Sequence, residues 1–348
     1  MAGPLEGIRI IELAGIGPGP FAAMMFADHG AEVITVHRPG APLNPQDPLN
    51  RSRLTVAADL KNPNDLKMVR DLINSADGLI EAFRPGVLER LNLAPNNLIA
   101  SNPKLVIGRM TGWGQNGPIA QTAGHDINYI AISGALHAFG RAGEKPTPPV
   151  NTVGDFGGGA MMLVFAMTAA LLKAEKTGQG EIIDCSMVEG SSLLMSTVWA
   201  FQETYGWEME RGKNLLDSGA PFYDTYETLD GEYIAIGALE KEFFGILMDE
   251  LGLSDDPSMN DHLNKKHWPR LAQVFTDIFL TKTQSEWCKN LEGIDACFAP
   301  VLSIKQAVEH PQNSARSAFI LVDGVMQPAP SPRYQHAPLQ KPKRPKPF

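Results

Sequence analysis

Metal-ligand spacing is absent from this chain. Its three cysteines, Cys185, Cys288 and Cys297, form no C-x-x-C pair, and its eight histidines include no H-E-x-x-H. Both zinc patterns are thereby excluded and no metal is expected. An odd cysteine count fits a reducing compartment, not a disulfide framework. Positive charge is also in short supply: 30 Lys and Arg stand against 39 Asp and Glu, a net charge of −9. Nucleic-acid binding needs a basic face, so no nucleic acid is expected as a partner. Glu6, Arg9 and Glu12 interrupt the first residues, which argues against a signal peptide. The apolar run over 160–172 is short for a bilayer, and Lys346-Pro347-Phe348 is no recognisable sorting signal. These absences set the expectation of a cytoplasmic protein with no membrane partner. A local basic cluster still suits a small polyanion.

The 348 residues, 43% hydrophobic and 20% charged, suffice for a large core and more than one domain. Residues 8–13 read as a buried strand, and Gly15-Ile16-Gly17-Pro18-Gly19-Pro20 as a turn with prolines suited to a helix's first turn. An apolar helix over 21–29 stops at Gly30, and 32–36 is a second strand. This β-α-β opening is Rossmann-like. It does not complete a dinucleotide fingerprint, because Pro20 stands where a small residue is needed. His37 and Arg38 stand where an acid would take a ribose hydroxyl. An arginine there suits a phosphate, which keeps NADP binding open as an alternative.

Further strands are expected at 77–83, 104–110 and 181–185. Arg38, Arg51, Arg53, Lys61, Arg84 and Arg90 follow strand ends or lie in loops. In a doubly wound sheet such loops converge on the carboxyl edge, so the group predicts an anion site.

The centre of the chain is 124–159. Gly124-His125-Asp126-Ile127-Asn128-Tyr129 puts a histidine just before one apolar helix (Ile127, Ile130, Ile132, Leu136). Gly154-Asp155-Phe156-Gly157-Gly158-Gly159 puts an aspartate at the expected start of another, which runs to Lys176. A helix N-terminus carries open N–H groups and roughly half a positive charge, so it suits a developing anion. Three glycines in a helix's first turn cost about 1 kcal/mol each against alanine. The expected compensation is close approach of a ligand to the backbone. This reads as a catalytic centre.

Beyond it, 188–205 reads as a helix and 207–219 as a linker. Residues 223–228 and 232–238 form a hairpin about Asp230-Gly231. Helices near 240–251, 268–280 and 284–291 follow. The expected organisation is a large domain over 1–190, a linking helix and loop over 191–220, a small α+β domain over 221–305, and a return segment and tail over 306–348. The proline-rich, basic end after Pro328 is expected to be extended and poorly ordered.

These motifs, together with Arg38-Pro39, Phe83-Arg84-Pro85-Gly86 and the segments 58–61, 109–114, 219–225 and 237–240, resemble the class III CoA-transferase family over nearly the whole chain. The histidine of Gly-His-Asp-Ile-Asn-Tyr marks the family's racemases; members that transfer CoA between acids keep the aspartate and generally lack it. The resemblance implies an α/β fold with a Rossmann-like large domain and a smaller α+β domain, interlaced as a homodimer. The active site would lie between the large domain of one chain and the small domain of the other. It implies CoA contacts at Arg38, Ala58, Asp59, Leu60, Lys61, Ala82, Phe83, Arg84, Arg90, Gly124, Asp126, Ile127, Asn128 and Tyr129. His125 and Asp155 match the catalytic pair, and Glu240 a carboxylate associated with the histidine. No separate cofactor is implied, since CoA is part of the substrate. Leu54 departs from a usually basic position, which weakens one expected phosphate contact. The C-terminal end is shorter than in many relatives, which bears on how the tail closes a dimer.

The implied reaction inverts the α-carbon of a 2-methylacyl-CoA thioester by 1,1-proton transfer through an enolate. That chemistry needs acid–base groups on opposite faces and donors aimed at the thioester oxygen. A helix N-terminus would keep Asp155 ionised, whereas donating a proton calls for burial against groups such as Phe156. The Asp155 helix is expected to supply the oxyanion donor, and Glu240 to fix the histidine tautomer. Met161, Met162, Met167, Met187, Met195 and Met209 either line an adaptable acyl surface or fill the core. Competing readings are a CoA transferase with Asp155 as nucleophile, an NADP-dependent oxidoreductase, and a catalytically silent CoA-binding protein.

Overall fold

The computed structural model describes residues 3–204 and 206–348. The chain divides into two compact units: Met1–Ala135 with Pro149–Ser196 and Ser314–Phe348, and Leu136–Pro148 with Thr197–Asn313.

The first unit is built on a seven-stranded sheet. Its strands are β1 (Arg9–Leu13), β2 (Glu32–His37), β3 (Leu54–Ala57), β4 (Gly78–Glu81), β5 (Val106–Thr111), β6 (Glu181–Ser186) and, in the order along the sheet, an outlying β12 (Lys346–Pro347). The order is β12-β3-β2-β1-β4-β5-β6 and every pairing is parallel. Parallel strands are covered on both faces, which is why β1, β4 and β5 are almost wholly buried, the charged Glu12, Glu81 and Arg109 included. Ile10, Ile80 and Val106 enter one core cluster, while Ile11, Leu79 and Ile107 enter the other. The chain winds outward from β1 through β2 to β3, then returns to place β4 on the other side of β1. That reversal is the switch point at which open α/β sheets form a crevice.

Helices α1 (Pro18–Asp28), α2 (Pro63–Asn74), α3 (Val87–Arg90), α4 (Pro95–Ser101) and α5 (Asp126–Ile132) are followed by a short α6 (Ala135–Ala138). A π-helical segment, Thr152–Met161, continues into α7 (Met162–Thr177), and α8 (Met187–Leu194) follows β6. The helix through Asp155 thus begins at Thr152, three residues before the expected start. The whole helix, Thr152–Thr177, is long and apolar enough to cross a membrane by length and composition. The expectation from 160–172 undercounted it because the glycine-rich stretch is helical too. Leu163, Met167 and Leu171 on this helix lie in the core, whereas Phe165 and Leu172 are exposed.

The end of the chain is also more ordered in form than expected. β10 (Phe319–Val322) and β11 (Val325–Pro328) form a hairpin, and β12 pairs with β3. The open edge of β3 has backbone groups to satisfy: Lys346 N–H donates to Arg53 O at 3.0 Å and Phe348 N–H to Thr55 O at 3.1 Å.

In the second unit β7 (Tyr223–Glu227), β8 (Tyr233–Gly237) and β9 (Phe298–Val301) make an antiparallel sheet. The helices are α9 (Ser196–Thr204, at the junction), α10 (Lys241–Glu250), α11 (Trp268–Phe279) and α12 (Gln284–Leu291). Phe222, Phe244, Leu271, Phe275 and Phe279 are fully buried in its core. Leu136–Pro148 groups with this unit: Arg141 pairs with Asp224 at 2.5 Å, and Arg211 donates to His137 O at 2.7 Å. The single helix expected over 188–205 is two, α8 and α9, and Tyr205 lies outside the described residues.

Candidate active site

The loops leaving β1 and β4 flank the switch point, and each lines two cavities. The larger, of about 830 Å³, is lined by Gly15, Arg38, Ala58, Asp59, Leu60, Lys61 and Phe83, among others. The smaller, of about 490 Å³, is lined by Ala82, Phe83, Arg84, Gly124, His125, Tyr129 and Asp155, with Gly17, Trp113, Asn151 and Met187. Ile16 and Phe83 line both, so the cavities meet at these two side chains.

His125 is the N-cap of α5, in extended conformation; its backbone N–H donates to Asn128 Oδ1 at 3.0 Å. Asp155 is half-buried, and Asn151 Nδ2 donates to its Oδ2 at 3.1 Å. Desolvation raises the Asp155 carboxyl above the usual carboxylate range. The Asn151 hydrogen bond opposes this, Asp126 adds to it by like charge, and His125 opposes it by opposite charge. The expected conflict between helix dipole and burial is present: Asp155 lies in the first turn of its helix, and desolvation is the largest cause of its upward shift. Asp155 is the fourth residue of its helix, and its N–H donates to Asp126 Oδ1 at 2.7 Å. That amide is therefore not the oxyanion donor. Phe156 stacks on Phe21, with centroids 4.5 Å apart.

The glycines around Asp155 serve packing and not the approach of a ligand. A Cβ on Gly158 would meet Ser191 N at 2.5 Å, and one on Gly159 would meet Met187 Cγ at 2.9 Å. The helices cross too closely there for any side chain. Gly17, with φ 66°, is different: its ideal Cβ would lie 2.9 Å from Asp155 Oδ2, so both backbone and space demand glycine.

Several expected contacts stand elsewhere. Asp126 is buried beneath Asp155, Ile127 is exposed, and Asn128 caps His125. None of the three lines either cavity. Arg90 is exposed at the end of α3, beside Gly86. Glu240 belongs to the second unit, as the exposed N-cap of α10. Arg51 and Arg53 drop out of the anion cluster because internal acids hold them. Arg51 Nε donates to Asp28 Oδ1 at 2.9 Å, and its Nη1 to Gln327 Oε1 at 2.9 Å. Arg53 is 1% exposed and pairs with Glu12. Leu54 is half-buried in β3, opposite Ile34 and Lys346. Of the methionines, Met167 is core, Met187 lines the smaller cavity, and Met161 and Met209 are exposed.

Sequence reading missed Asn151 and Glu81. Asn151 lies four residues before Asp155, a spacing that puts two helical side chains on one face. Glu81 is an acid closing an apolar strand, a sign of a buried partner. Its Oε2 accepts the Phe83 N–H at 2.9 Å, and its Oε1 accepts from Arg109 Nε at 2.7 Å. Arg109 also pairs with Glu89 at 3.0 Å, tying α3 to the loop that carries Phe83 and Arg84.

The model of CoA-transferase family III matches residues 5–347. The α-methylacyl-CoA racemase of Mus musculus is 44% identical over 328 residues, 94% of this chain and 85% of that one. The Homo sapiens α-methylacyl-CoA racemase is 43% identical over 335 residues, covering 96% and 87%. A crystal structure of a CAIB/BAIF family protein from Brucella suis superposes with a TM-score of 0.84 at 24% identity, covering 98% of this chain and 95% of that one. With the same fold, and a family match from end to end, the chain belongs to CoA-transferase family III.

Proposed function

We propose that this protein is an isomerase that inverts the α-carbon of 2-methylacyl-CoA thioesters by 1,1-proton transfer. The observation that carries the reading is that His125 and Asp155 line one cavity, which meets the larger, partly basic cavity at Ile16 and Phe83. The nucleotide end of CoA would occupy the larger cavity, where the lining residues Arg38 and Lys61 would meet phosphate. The thioester would pass between Ile16 and Phe83 to the acid–base pair.

In one direction neutral His125 removes the α-proton, the C–H pair moves into the enolate, and Asp155 returns a proton to the opposite face. In the other direction ionised Asp155 removes the proton and the imidazolium returns one. Burial favours a protonated Asp155, which suits the first direction. The enolate oxygen needs hydrogen-bond donors held beside the acid–base pair. No separate cofactor enters these steps. On the family likeness, Glu240 is proposed to steady the charged imidazole, the homodimer is the proposed assembly, and the cytoplasm the proposed compartment.

The test is to incubate (R)-2-methylacyl-CoA with the protein in heavy water. Racemisation predicts α-deuterium incorporation with loss of optical activity and no acceptor acid. Thioester movement to a second acid without exchange would instead establish transfer through an Asp155 anhydride. Nicotinamide binding with no CoA affinity would restore the oxidoreductase alternative.

A further inference from the structure

Asp126 joins the two proposed proton-transfer groups. It follows His125 directly in the chain, and its Oδ1 accepts the Asp155 N–H at 2.7 Å. The carboxylate is 6% exposed, and its Oδ2 is buried without a hydrogen-bond partner among the described residues. Gly154 makes room for it, since a Cβ there would strike the Asp126 carboxylate. An asparagine would accept the same N–H. A buried, half-partnered carboxylate is costly, and a group of that kind calls for an explanation.

We infer that Asp126 is a positioning residue for the reaction: its carboxylate fixes the Asp155 backbone relative to His125 and holds Asp155 as the proton donor. This rests on the racemase reading above. Displacing a reacting group by about 1 Å costs on the order of 10²-fold in rate, so one hydrogen bond spanning the pair is enough to matter.

The electrostatic part of the inference depends on which charges reach Asp155. Desolvation raises its proton affinity most; Asp126 raises it further, and His125 lowers it. Tyr129, also on α5, interacts with Asp155 and with Arg84. The other elements packed on this helix bring charges that are spent or distant. Asp28 on α1 pairs with Arg51, and Arg109 on β5 pairs with Glu81 and Glu89. Glu181 and Asp184 on β6 and Glu189 on α8 are exposed, and Cys185 on β6 is pushed up to about 12 and stays neutral. Lys173, Glu175 and Lys176 lie in the last turns of α7.

The working pair carries one proton, and the acid limb of kcat/KM marks uptake of a second. Removing the Asp126 charge lowers the Asp155 proton affinity, so that limb moves to lower pH.

The experiment compares wild type, Asp126→Asn and Asp126→Ala for α-deuterium exchange across pH, with CoA affinity measured by calorimetry. Asp126→Asn keeps the acceptor and loses the charge: the acid limb is expected at lower pH, with kcat reduced about tenfold. Asp126→Ala also loses the clamp and is expected to fall about 10²-fold in kcat. CoA affinity is expected to stay within about twofold for both, which also reports a folded protein. An unmoved limb and unchanged kcat in Asp126→Asn overturn the inference while leaving the racemase reading intact. So does a loss of CoA affinity without a change in kcat. A wild type without exchange overturns the racemase reading and this inference with it.

Discussion

Asn151 donates a hydrogen bond to the Asp155 carboxylate from one turn earlier on the chain, 3.1 Å from Nδ2 to Oδ2. It is the contact that opposes burial at the residue proposed to move a proton.

Removing it has a signed consequence. Asn151→Ala takes away a cause that lowers the Asp155 proton affinity, leaving His125 alone to oppose desolvation and Asp126, which both raise it. The acid limb of the kcat/KM profile is therefore expected to move to higher pH, opposite to the shift in Asp126→Asn. Loss of one charge-assisted hydrogen bond should lower kcat by roughly tenfold at neutral pH. An acid limb that stays in place would dissociate Asn151 from the ionisation of Asp155.

The larger cavity makes a separable prediction. Arg38 and Lys61 are exposed and line it away from His125 and Asp155. Lys61→Ala is expected to raise KM for the acyl-CoA about fivefold, the effect of about 1 kcal/mol from an exposed ion pair, with kcat unchanged. The difference should shrink as salt is raised, because screening weakens exposed charge pairs. A fall in kcat at constant KM would place Lys61 in the chemistry instead.

Arg53 tests the fold without touching the cavities. It is buried with Glu12, and its guanidinium also donates to Pro20 O and Leu49 O. Arg53→Ala strands Glu12 as an uncompensated buried charge, a loss of about 3–5 kcal/mol, read as a lower urea midpoint. Arg53→Met with Glu12→Leu removes both charges and should recover part of that loss. A double variant no better than the single one would show that the backbone contacts matter more than the ion pair.

How much of this the chain disclosed depended on the range of the signal. The β-α-β opening, the parallel strands and the Asp230-Gly231 hairpin were legible because apolar periodicity and turn residues are local. So was the neighbourhood of His125, where Gly124 and the apolar positions after it mark a cap. Arg53 was misread because its partner Glu12 lies 41 residues away, and nothing local separates a loop arginine from a buried one. Gly158 and Gly159 were read as ligand contacts because their true neighbours, Ser191 and Met187, come from the helix after β6. Asp126 was assigned to CoA with the rest of its motif. Only the folded chain shows its carboxylate turned to the Asp155 amide.

The most direct test of two proton-transfer groups on opposite faces uses each enantiomer separately in heavy water, with His125→Ala and Asp155→Asn. Neither variant should racemise. Each should still exchange the α-proton of one enantiomer, and the two variants should retain exchange on opposite enantiomers. Loss or retention of exchange on the same enantiomer in both variants would contradict a reaction divided between His125 and Asp155.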